Sequence, residues 1–176
     1  MHNLKELMKN MGNLKYGKKR KKEINRDVAN AIGHEKYLVI CMEEIGELID
    51  VVSLNVYDNV DYIHTAEELA DVLVCIDAMK TMNRIKDKDL DKVCKKQKKK
   101  VSIFECISNL AKSQQAISKN IRGKDNGSKF IPTINLLNET IENLIFIYKI
   151  KKKDIEKIEA LKYKRLEDRI KNKTIG

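Results

Sequence analysis

Glu35-Lys36-Tyr37-Leu38-Val39-Ile40-Cys41-Met42-Glu43-Glu44-Ile45-Gly46-Glu47-Leu48-Ile49-Asp50-Val51-Val52-Ser53-Leu54-Asn55-Val56 carries apolar side chains at Leu38, Cys41, Ile45, Leu48, Val52 and Val56. Steps of three and four residues place such side chains along one face of an α-helix. The carboxylates of Glu43, Glu44 and Glu47 border this apolar stripe and do not lie opposite it.

Working outward, Tyr57 to Asp61 reads as a loop, and a second long helix runs from near Thr65 through Leu69, Val72, Leu73, Ile76, Met79 and Met82. Thr65 and Glu68 have the spacing of a capping box at its start. Upstream, Ile24 to Ile32 reads as a short helix stopped near Gly33. Downstream, Asp87 or Asp89 opens a helical stretch with no breaker before Lys119. Arg122 to Ser128 is a loop, Pro132 suits the first turn of a helix ending near Tyr148, and a last helix covers Lys153 to Ile170. One proline, seven glycines, no tryptophan and 5% aromatics favour packed helices over a sheet. The fold class read from these signs is all-α.

The chain also resembles itself. Displaced by 65 residues it matches without gaps, with Cys41 on Cys106, Ser53 on Ser118, Asn55 on Asn120, Ile76 on Ile141, and Arg84–Val93 on Lys149–Ile158. The apolar positions coincide along with the lysines, which marks a duplicated helical unit. The chain therefore divides into a basic N-terminal segment (1–22), a first unit (23–100), a second unit (101–170) and a tail (171–176). Two copies of one unit are expected to bury their apolar faces about a pseudo-twofold axis, as an intrachain pseudo-dimer.

Glu44 and Glu47 are one helical turn apart, as are Glu68 and Asp71 within Glu67-Glu68-Leu69-Ala70-Asp71. Such pairs are common on solvated surfaces. Two of them on consecutive helices, each flanked by core positions, point instead to a cation site, because crowded carboxylates losing hydration need a counter-charge. Oxygen ligands in this number suit Mg²⁺, with Mn²⁺ as a substitute. In the second unit the equivalents of Glu43, Glu44, Glu47, Glu68 and Asp71 are Ser108, Asn109, Lys112, Thr133 and Leu136. The apolar pattern persists without the acids, so helix packing does not require them.

Glu43-Glu44-Ile45-Gly46-Glu47 followed by Glu68-Leu69-Ala70-Asp71 resembles the EExxE…ExxD signature of the MazG-like all-α nucleoside triphosphate pyrophosphohydrolases, whose relatives include dimeric dUTPases and phosphoribosyl-ATP pyrophosphatases. The resemblance covers the first unit, and Gln115–Lys119 and Lys162–Arg169 of the second are similar to phage-type members. It implies a MazG-like helical bundle and the hydrolysis of (deoxy)nucleoside triphosphates to monophosphate and pyrophosphate. Glu44, Glu47, Glu68 and Asp71 would ligate Mg²⁺, and Glu43 or Glu47 would orient or deprotonate the attacking water; Glu43, Glu44 and Glu47 are thus the candidate catalytic residues. Family members usually build a four-helix core from two subunits, and here the second unit would supply the missing half. Lys112, Lys119 and Arg122 of that unit, standing where the first has Glu47, Leu54 and Tyr57, are the candidate holders of the triphosphate; for Lys119 and Arg122 ordinary surface exposure is the competing reading and the favoured one.

Other classes rank lower. A formal charge of +10 invites a nucleic-acid reading, but only six of the 36 basic residues are arginine and the lysines are spread along the chain. The runs Lys18–Lys22 and Lys95–Lys100 are expected to be solvated faces. No apolar run is long enough to span a bilayer, and the basic N-terminus lacks the apolar segment of a secretory signal, so a cytoplasmic protein is expected. Cys41, Cys75, Cys94 and Cys106 form no metal or disulfide pattern, and Cys41, Cys75 and Cys106 are expected to be buried free thiols. His64 reads as a helix-start residue, and Tyr37, Phe146 and Tyr148 as core or pocket wall. Two alternatives stand beside the enzyme: a catalytically inactive nucleotide-binding or regulatory relative of the same fold, and a basic helical nucleic-acid-binding protein. Pairing of whole chains into a homodimer is left open.

Overall fold

The computed structural model describes residues 14–57, 60–90, 101–124 and 130–175. Seven helices and no strands occur among them: α1 (Lys18–Ile32), α2 (His34–Leu54), α3 (Tyr62–Met82), α4 (Asp87–Leu90), α5 (Ile103–Ile121), α6 (Phe130–Ile147) and α7 (Lys152–Lys171). The chain is all-α. No helix among the described residues is long and apolar enough to cross a membrane.

Helix boundaries follow local chemistry. Gly33, at φ 88° and ψ 149°, adopts a conformation costly for any residue with a Cβ, and it separates α1 from α2. Asp61 caps α3, its carboxylate accepting the N–H groups of Ile63 at 3.1 Å and His64 at 3.0 Å. The helix thus begins before Thr65, whose hydroxyl donates back to Asp61 O at 2.7 Å, and Thr65 and Glu68 form no capping box. Glu68 is left free for another role. Ser102 caps α5 by accepting Glu105 N–H at 3.1 Å. It breaks the stretch before Lys119 that was read without a breaker. Residues 91–100, which include Cys94 and the Lys95–Lys100 run, lie outside the described residues.

The α2 stripe is the centre of the core. Leu38, Cys41, Ile45, Leu48 and Val52 are all buried, and Cys41, Cys75 and Cys106 are buried free thiols. α2 packs on α3 and α5, α5 on α6, α3 on α6 and α7, and α4 on α6; α1 lies against α2, α3 and α7. Under the 65-residue displacement α2 corresponds to α5, α3 to α6, and α4 to the start of α7. Two of the three corresponding pairs pack on each other (α2 on α5 and α3 on α6), and four further pairings form reciprocal sets (α2 with α3 and α5 with α6; α3 with α7 and α6 with α4), while those of α1 have no counterpart.

The turns repeat as well. Arg84 (φ 55°) and Lys149 (φ 52°) are both left-handed. Arg84 N–H reaches Thr81 O at 3.3 Å and Ile85 N–H reaches Lys80 O at 2.9 Å; Lys149 N–H reaches Phe146 O at 3.3 Å and Ile150 N–H reaches Ile145 O at 3.0 Å. Each is a Schellman ending.

Three expectations need correction. α1 starts at Lys18, six residues before the Ile24 start expected for this helix. Lys21 is not on a solvated face: it pairs with Glu159 and lies over the Tyr163 ring, 5.2 Å from its centroid. Phe146 is 83% exposed and belongs to no wall or core, whereas Tyr37 is buried and is both.

Candidate metal centre

α2 and α3 present their acids toward a common point because both helices are rotated by their apolar stripes. Glu44 is half-buried beside Ile45 on α2; Glu68 and Asp71, one turn apart on α3, flank the buried Leu69, Ala70 and Val72. One carboxylate oxygen from each of Glu44, Glu68 and Asp71 lies within 4.8 Å of the other two. Glu47 and Glu43 are exposed. Glu47 is near enough for its charge to act on Glu44, Glu68 and Asp71, while Glu43 is not among these interacting groups.

Glu68 is 6% exposed, and its Oε2 is buried without a hydrogen-bond partner among the described residues. His64 Nδ1 stands 3.6 Å from the other oxygen, too far for a hydrogen bond. Orphaning a buried polar atom typically costs about 1–3 kcal/mol, and more where the group is charged. Burial pushes Glu68 up to about 7, with the charges of Asp71 and Glu47 adding to it and Lys162 opposing. Burial likewise raises Glu44 to about 7, reinforced by Asp71, Glu47 and Glu68. Asp71 is raised by burial against the pull of Lys162. Clustered, desolvated carboxylates with an unsatisfied oxygen are a donor set that a hard divalent cation would complete.

Lys162 of α7 reaches this cluster. Its ammonium donates to Asp71 Oδ2 at 2.5 Å and lies 3.4 Å from Glu67 Oε1. Burial works to lower its pKa, and the two carboxylates outweigh burial and raise it.

A cavity of about 260 Å³ opens on Glu44, Asp71 and Lys162. Val28, Ile32, Ile40, Val74 and Tyr37 give it an apolar wall, and Lys36, Arg165 and Arg169 add three more cations. Acids, cations and an apolar wall thus meet in one place. A larger cavity of about 440 Å³ lies elsewhere, beside Asp77, Asp87 and Glu159. Each of those carboxylates is already paired, with Lys21, Lys80 or Lys18.

Of the residues expected to act, the structure brings Glu44, Glu68 and Asp71 together, with Glu47 at the rim. Lys112, Lys119 and Arg122 are exposed on α5 and at its end, and none of them lines the 260 Å³ cavity. Arg122 Nε donates to Ser118 O at 3.2 Å. The cations beside the acids come instead from Lys36 and from Lys162, Arg165 and Arg169 of α7. Sequence carried a signal for these: in a chain with so few arginines, two stand at 165 and 169 on one helix, at helical spacing from Lys162. Compared with protein-family models, curated proteins and solved structures, the chain matches none.

Proposed function

We propose that this chain is a Mg²⁺-dependent nucleoside triphosphate pyrophosphohydrolase of MazG-like type, releasing monophosphate and pyrophosphate. The observation that carries the reading is the cluster of Glu44, Glu68 and Asp71, with an orphaned buried oxygen on Glu68, whose Glu44 and Asp71 open on a cavity walled by apolar side chains and four cations. Glu44, Glu68 and Asp71, with Glu47 at the rim, would hold Mg²⁺ or Mn²⁺. The ion would supply charge neutralisation on the phosphate oxygens and a more acidic water. Arg165 and Arg169 match phosphate oxygens in a fork geometry, Lys36 adds a point charge, and the wall of Val28, Ile32, Ile40 and Tyr37 takes the base. Glu47, exposed and one turn from Glu44, is placed to orient the attacking water.

The bundle is read as an intrachain pseudo-dimer. Its support is the reciprocity of the packing, together with the matching Schellman turns 65 residues apart. An isologous pair packs residue i on j and j on i, and helix pairs that recur in this way are what a duplicated unit produces. On this reading the first unit supplies the acids and the second supplies most of the cations.

The test is pyrophosphate release from a panel of NTPs and dNTPs, with and without Mg²⁺, beside a Glu44→Gln/Glu47→Gln double variant. Metal-dependent release that the variant loses is the expected result. A folded protein that releases none from any nucleotide, with Mg²⁺ or Mn²⁺, leaves the catalytically inactive nucleotide-binding relative as the reading of the same site.

A further inference from the structure

Lys162 stands between Asp71 and Glu67. Its side chain is 17% exposed, and its ammonium is 2.5 Å from Asp71 Oδ2. The acids it serves belong to α2 and α3, whereas Lys162 belongs to α7. The helix beneath it is anchored: the fully buried Tyr163 accepts from Asn25 Nδ2 at 3.1 Å and donates to Asp77 Oδ2 at 3.2 Å. Lys162 can therefore change partners by turning its own four-carbon stem while α7 stays in place.

Two further facts show that this pairing is incomplete and has an alternative. One ammonium faces Glu44, Glu67, Glu68 and Asp71, and Glu68 Oε2 remains without a partner. Lys162 also lines the cavity with Arg165 and Arg169, spaced by three and four residues along one side of the helix. An anion laid along α7 meets all three cations.

We propose that Lys162 is an exchangeable internal cation: it holds Asp71 and Glu67 in the unliganded protein and moves to the phosphate chain of an arriving nucleotide, which frees Asp71 for the divalent ion. Metal and nucleotide then bind cooperatively. Departure of pyrophosphate returns Lys162 to Asp71 and loosens the ion. The inference rests on the metal-centre reading above. Since binding linkage is reciprocal, the nucleotide tightens the ion by the same factor as the ion tightens the nucleotide.

The experiment is a titration of the full chain with Mn²⁺, following free Mn²⁺ by electron paramagnetic resonance. It compares wild type, Lys162→Met and Lys162→Arg, each alone and with α,β-methylene-ATP or α,β-imido-dUTP, corrected for Mn²⁺ held by free analogue. Lys162→Met is expected to bind Mn²⁺ alone about tenfold tighter than wild type or better, while Lys162→Arg, which keeps a cation, stays within about threefold. The analogue is expected to tighten Mn²⁺ in both proteins, through the ion's own contact with the phosphates, and by at least about threefold more in wild type than in Lys162→Met. An Mn²⁺ affinity of Lys162→Met within about threefold of wild type overturns the proposal, and so does coupling that is undiminished by the substitution. Should Lys162→Met not fold, as judged by circular dichroism, Lys162→Gln is titrated in its place. Failure of every form to bind Mn²⁺, with or without analogue, overturns the metal centre itself and is distinct from either result.

Discussion

Glu68 puts the molecule's clearest strain into one side chain: 6% exposed, one oxygen unpartnered and a pKa pushed up to about 7. A carboxyl that titrates higher folded than unfolded binds its proton more tightly in the native state. Its favourable contribution is present below the unfolded value of about 4.3 and is lost as the pH rises toward about 7. Glu68→Gln should therefore match wild type near pH 5 and exceed it at pH 8 in metal-free protein, by about 1 kcal/mol or more, or roughly 2–4 °C in melting temperature. Thermal melts at the two pH values check this, and a Gln variant less stable than wild type at pH 8 refutes it. Adding Mg²⁺ at pH 8 should raise the melting temperature of wild type and leave that of Glu68→Gln nearly unmoved. The acids were legible in the sequence because one-turn spacing beside an apolar stripe fixes where a carboxylate sits. The cations were not, because a lysine or arginine stem spans several ångströms and its partner depends on which helix packs opposite. Lys112, Lys119 and Arg122 lie outside the cavity, which takes its positive charge from Lys36 of α2 and from Lys162, Arg165 and Arg169 of α7.

Helix starts and stops show the same division between local and distant causes. The Gly33 stop and the endings of α6 and α7 could be read directly, since glycine and the last apolar residue mark them. The cap of α3 was misread because Thr65 with Glu68 and Asp61 with His64 offer the same backbone similar partners, and the carboxylate that accepts two N–H groups prevails. Asp61→Ala should cost about 1 kcal/mol, seen as a lower midpoint in urea with an unchanged slope. A loss below a few tenths of a kcal/mol would mean that the α3 start is held by packing alone. Arg84 and Lys149 occupy left-handed positions that glycine adopts without a Cβ penalty. Arg84→Gly and Lys149→Gly should each stabilise by up to about 1 kcal/mol and add when combined, because the turns share no partner. Destabilisation by either would show that its stem contributes more than its backbone costs.

Across the whole molecule, the acids lie on α2 and α3, while most of the cations beside them lie on α7. The displacement of 65 residues was visible in the sequence through its apolar positions, and the helix pairing repeats in the same register. What the sequence did not reveal was that α7 folds back on α3, which brings Lys162 to Asp71 across 91 residues. This arrangement predicts how damage in one chain relates to damage in another. If acids and cations of a site come from one chain, an acid variant and a cation variant each carry a fault that the other cannot repair. Mixing Glu44→Gln with Lys162→Met, after joint unfolding and refolding, should leave pyrophosphate release at the level of the two variants measured separately. A site shared between chains would behave differently, since random pairing would rebuild intact sites and restore a substantial fraction of wild-type activity. Wild-type specific activity should also stay constant on dilution into the nanomolar range, because no partner has to be found. Recovery on mixing, or activity that falls with dilution, would place the completing half of the site in a second copy of the chain.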